Sequence, residues 1–125
     1  MTPYIHFFCN SELTLKLVDY NSSINDINLE YSLDKFEWNV IPKYDIDFSV
    51  KFTDNLWIRG KNPFGTQGIH LHFDSSDFTL LDVEGDLNTL IDWENYQNCD
   101  SSHADFSYLF SNCILLRDAS NLKLT

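Results

Sequence analysis

The sequence predicts a mainly β domain. Three observations carry that reading: apolar residues alternating at period two, turn-forming residues between the runs, and abundant aromatics. The 125 residues include ten Phe, six Tyr and three Trp, but only four Gly and three Pro. The expected architecture is an antiparallel sandwich or strongly curled sheet of about seven to nine strands with one short helix near 86–96. A β-rich α+β fold is the neighbouring alternative. A single domain over 1–125 fits the length, because a chain of this size buries roughly two-thirds of its unfolded surface on folding.

The elements follow in order. Leu13, Leu15 and Leu17 alternate with Thr14 and Lys16, and Ile27, Leu29, Tyr31 and Leu33 repeat the pattern after the turn-forming Asn21, Ser22 and Ser23. Phe36, Trp38 and Val40 continue it, and Pro42 ends that run or holds it at an edge. The clearest strand sets Tyr44, Ile46, Phe48, Val50 and Phe52 against Asp45, Asp47, Ser49 and Lys51. A helix, with its apolar face at spacings of three and four, does not accommodate that string. Asp54 and Asn55 favour a turn. The segment 60–68 holds three of the four glycines and predicts the largest loop. Ile69, Leu71 and Phe73 then alternate with His70 and His72, and 78–84 predicts another strand closed by Gly85. Leu87, Leu90, Ile91 and Glu94 have helical spacing, with Asp86 placed to cap. The segment 103–111 fits helix or strand, and from about Asn112 onward a buried strand is expected.

Charge bounds the partners. Nineteen carboxylates against eight Lys and Arg give a net charge of −11. Nucleic acid and anionic membranes would repel such a chain, so direct binding to either is not expected. From Asp74 to His103, thirty residues carry eight acids and no Lys or Arg. Asp74, Asp77, Asp82, Glu84, Asp86, Asp92 and Glu94 would therefore dock onto a basic protein partner if they gather in space. Trp57, Arg59 and Phe64 around the large loop, with Trp93, are the nominated anchors, since Trp and Arg dominate interface energetics. The three cysteines (Cys9, Cys99, Cys113) are unpatterned and read as reduced thiols, with Cys9 and Cys113 as small core residues. No secretory signal or membrane span is recognised, and a cytoplasmic protein is expected.

No catalytic signature emerges, and neither a catalytic residue nor a cofactor is assigned. The pair His70 and His72 is the one spacing that suggests metal chemistry. Together with Gly65, Asp77 and Gly85 it resembles the first motif of the cupin family. That resemblance implies a small metal-holding β-barrel enzyme using His70, His72 and Asp77. Asp77 stands where glutamate is usual, and the family's second motif has no counterpart. The competing reading makes both histidines outer-face members of a strand whose inner face is Ile69, Leu71 and Phe73. A further alternative is a small ligand- or sugar-binding β-sandwich with Trp57 or Trp93 as platform. In size, acidity and lack of catalytic signature, though in no motif, the profile resembles the immunity proteins with which bacteria neutralise toxins. That likeness implies a non-enzymatic inhibitor of a basic nuclease toxin domain.

Overall fold

The computed structural model describes residues 3–19, 27–41, 48–75, 81–106, 109–110 and 116–123. The described residues form strands β1 (Ile5–Asp19), β2 (Leu29–Ser32), β3 (Asn39–Val40), β4 (Ser49–Gly60), β5 (Ile69–Asp74), β6 (Leu81–Asp86) and β7 (Leu116–Lys123), and one helical turn, α1 (Asn88–Ile91). The fold is mainly β, as the alternation predicts. The strands make one sheet in the order β3-β2-β4-β1-β6-β7, with β5 pairing β1. Every ladder is antiparallel but one: β6 and β7 run parallel. A parallel pair needs a crossover, and the chain through α1 and the following turns supplies it.

β1 organises the sheet. One edge pairs β4 along its length. The other edge is divided: His6 to Cys9 pair β6, and Thr14 to Asp19 pair β5. Between the halves lies a bulge. Phe8 faces Asn55 and Glu12 faces Thr53, so residues 9–11 oppose Asp54 alone, whose φ is 70°. The Cys9 thiol donates to the Ser11 carbonyl oxygen at 2.9 Å within it. An excess of two residues keeps the alternation in phase, whereas one would have turned half the strand inside out. Ile5, Phe7 and Cys9 before the bulge and Leu13 and Leu15 after it are accordingly all buried.

These side chains meet Leu56, Ile58 and Phe52 of β4 and Leu71 and Phe73 of β5 in one core. The rings of Phe7 and Phe73 lie 5.1 Å apart, and Phe52 meets Phe73 edge-on at 6.2 Å. Each such buried side chain stabilises by roughly 1.5–3 kcal/mol.

Three expectations need correction. Phe36, Trp38 and Val40 do not form an inward-facing run, because Phe36 is 90% exposed and Val40 67%. The side chains of Ser32 and Asp34 capture the backbone N–H groups of residues 34–37, so this stretch bends and β3 is reduced to Asn39–Val40. The short helix expected near 86–96 is present as α1, and it stops after Ile91. Beyond it Asp92 and Asn95 accept local backbone N–H groups, an alternative to continuing the helix. Asp86 is not the N-cap residue, which is Leu87; its carboxylate still accepts the Asn88 N–H at 2.9 Å. The C-terminal strand expected from about Asn112 onward is present as β7, described from Leu116, and 112–115 lie outside the described residues. Cys113, with Tyr44 and Ile46 of the clearest predicted strand, lies outside the described residues.

Candidate binding face

The outward side chains of the sheet form a continuous aromatic and charged ladder. The β-register aligns Ser32, Trp57, His6 and Glu84 across four strands. The His6 ring stacks on Trp57 at 5.0 Å with only 9° between planes, and on Phe8 at 5.1 Å. Its nitrogens bond Glu84 Oε1 at 2.9 Å and Asn55 Oδ1 at 2.8 Å. Two positions further along β4, the Arg59 guanidinium is held between two indoles, 3.9 Å from the Trp38 centroid and 3.7 Å from that of Trp93. Its Nε donates to Glu30 Oε1 at 2.9 Å. Tyr4 bridges the two parts, touching both Trp38 and Trp57.

The large loop is fastened beneath this ladder by Asn62, which is only 3% exposed. Its Oδ1 accepts the Asn28 N–H at 2.7 Å. Its Nδ2 donates to the carbonyl oxygens of Asn28 and Leu90 at 3.0 and 2.9 Å. Nothing in the period-two pattern singles this residue out, and sequence reasoning missed it. Lys61 beside it pairs with Glu94. Asn28, Glu30, Lys61 and Trp93, with Leu29, Val40 and Gly60, line a groove of about 460 Å³.

The nominated anchors are therefore partly united. Trp57, Arg59 and Trp93 belong to the ladder, but Trp57 is only 8% exposed and Arg59 is enclosed. Phe64 is 59% exposed on the large loop. The nominated acids divide. Asp74 lies opposite Thr14, toward the far end of β1, bonded to Lys16 at 3.3 Å and His72 at 2.8 Å. Burial raises the Asp74 pKa, but those two hydrogen bonds outweigh it and leave the group below the usual range. Glu84 bonds His6, Glu94 pairs with Lys61, and Asp82 is buried on β6. Asp77 lies outside the described residues. Asp86, Asp92 and Asp100 do converge, around Cys99. Burial first, then the charges of Asp92, Asp86 and Asp100, pushes the thiol of this half-buried cysteine up.

His70 and His72 share a strand face, as their spacing requires, with ring centroids 5.6 Å apart. His70 is nevertheless buried, at 2% exposure, which corrects the expectation of two outer-face histidines. On the same strand the Leu71 N–H donates to the Leu109 carbonyl oxygen at 2.9 Å. Among the described residues, no group of three or more His, Cys, Asp or Glu is disposed to hold a metal ion, and no helix is long and apolar enough to cross a membrane. No family model, curated protein or solved structure matches the chain.

Proposed function

We propose that this chain is a cytoplasmic inhibitor of the bacterial immunity type. It neutralises a basic partner, a nuclease toxin domain being the case its charge suits best, and performs no reaction of its own. The supporting observation is the run from Asp74 to His103, eight acids with no Lys or Arg, of which Asp86, Asp92 and Asp100 lie about Cys99. Within a net charge of −11, that region accelerates encounter with a cationic surface and repels nucleic acid and anionic lipid. The ladder favours this reading over a sugar platform. Trp57 is stacked by His6 with Lys35 over it, and Trp93 carries Arg59, so these indoles serve internal partners. A static binding scaffold tolerates that arrangement, because it gains rigidity before it meets its partner.

The test is titration of the purified chain into the toxin domain encoded beside its gene. Stoichiometric loss of nuclease activity is expected, with an association rate that falls steeply as salt is raised. Undiminished activity at molar excess would end the inhibitor reading.

A further inference from the structure

We infer that Phe36, at the tip of the β2–β3 hairpin, is the anchor that enters an apolar pocket rimmed by Lys or Arg on the basic partner. This rests on the inhibitor reading above and specifies its contact. The aromatics of the ladder are all engaged internally: Tyr4, Phe8, Trp38, Trp57 and Trp93 each meet another ring or a cation. Phe36 is the exception in this neighbourhood, 90% exposed and outside the core. Isolated exposed apolar residues are ordinary. This one is set in a tip whose construction is not ordinary.

That tip is ordered in advance. Ser32 Oγ accepts the N–H groups of Asp34 and Lys35, and Asp34 Oδ1 accepts those of Phe36 and Glu37 at 2.9 Å each. Lys35 adopts a φ of 71°, and its carbonyl oxygen accepts the Trp38 indole N–H. The hairpin is then clamped to the sheet, with Trp38 against Arg59 and the Lys35 ammonium over Trp57. A side chain presented on a pre-ordered loop loses less entropy on binding, and aromatics are enriched at interface centres.

Charge selects the occupant. Glu30, Asp34 and Glu37 against Lys35 leave the hairpin at −2 (three acids, one base). The one lysine is drawn back over Trp57, while Asp34 and Glu37 are exposed beside Phe36. A second copy of this chain would bring −11 against −11, whereas a cationic rim around an apolar pocket complements both features.

The test replaces Phe36 with photoreactive p-benzoylphenylalanine in the full chain, irradiates the host cells and maps the cross-link by mass spectrometry. The expected adduct joins a protein of net positive charge, at an apolar pocket flanked by Lys or Arg. With that partner purified, Phe36→Ala should weaken binding by about 30-fold or more, the scale of an interface hot spot, mostly through faster dissociation. Phe36→Leu should recover most of the loss. Circular dichroism should be unchanged for each variant, since Phe36 lies outside the core. If Phe36→Ala binds the basic partner as tightly as the parent, the anchor assignment is wrong and the inhibitor reading survives. A cross-link between two copies, with a dimer that Phe36→Ala abolishes in sedimentation, overturns the assignment. Absence of any basic partner removes both.

Discussion

The guanidinium carbon of Arg59 lies 3.7 Å from the ring centroid of Trp93, with Trp38 also in contact at 3.9 Å. The three residues come from β4, from the stretch just before β3 and from the turn after α1, so one cation fastens three separate segments. Arg59 is a half-buried structural group, with Glu30 as its counter-charge.

Arg59→Ala should therefore destabilise the protein by about 2–3 kcal/mol in urea unfolding, combining lost cation–π contacts with a carboxylate left without its partner. Arg59→Lys keeps the charge and loses the planar stack, and should cost about half as much. A lysine variant as stable as the parent would show that charge alone matters here.

Asn62→Ala leaves the Asn28 N–H and the Asn28 and Leu90 carbonyl oxygens without the amide they bond. A loss of about 2–4 kcal/mol is expected from that buried deficit. Asn62→Asp should be no better than alanine, because a carboxylate cannot donate to two carbonyl oxygens. An Asn62→Asp variant as stable as the parent would refute the bonding scheme.

The strands were legible where burial follows period two. Leu13, Leu15 and Leu17 and the 69–73 run lie in strands, and Leu13, Leu15, Ile69, Leu71 and Phe73 are buried. Legibility failed where side chains bond nearby backbone. Ser32 and Asp34 turn a predicted inward run outward, and the Asp92 carboxylate takes the Glu94 N–H just past the end of α1. Strand 5–10 was also missed, as was the parallel pairing of β6 with β7, since neither pairing partners nor strand direction is written in hydropathy. The binding face was half legible. Composition flagged Trp57, Arg59 and Trp93, but their mutual stacking depends on long-range register.

Gly65 has a φ of +79°, and a Cβ placed there would sit 2.4–2.8 Å from the Asp105 backbone. Gly65→Ala therefore combines a disfavoured conformation with a collision that no side-chain rotation relieves. It should cost about 2 kcal/mol or more, read as a lowered midpoint of thermal unfolding. An unchanged midpoint would mean that the two segments do not abut.

Hydrogen bonds from the Glu37 N–H, and then the Phe36 N–H, hold the Asp34 carboxyl below the usual carboxylate range. A depressed folded-state pKa contributes stability above the unfolded value, and that contribution is lost as pH falls through the folded one. The hairpin tip should therefore loosen only below about pH 4, where an ordinary Asp is already protonating. Carboxyl-carbon NMR titration should give Asp34 a lower midpoint than an unfolded peptide of the same sequence. An equal midpoint would contradict the ordered tip.

Cys99 reports directly on the acidic region. Its thiol is raised by burial and then by Asp92, Asp86 and Asp100, so the reactive thiolate forms at higher pH than in a free cysteine. The rate of alkylation of the Cys99-containing peptide should consequently rise with pH along a curve displaced upward. Asp92→Asn retains an acceptor for the Glu94 N–H while removing a charge, and should move that curve back down. At fixed pH below the midpoint, each unit of pKa restored should speed alkylation by up to about tenfold, because thiolate population sets the rate. Added salt should act in the same direction on the parent and more weakly on the variant, since it screens the charge that the variant lacks. A midpoint insensitive to both substitution and salt would leave burial as the whole cause. The negative potential on which the proposed partner recognition depends would then be absent from this face.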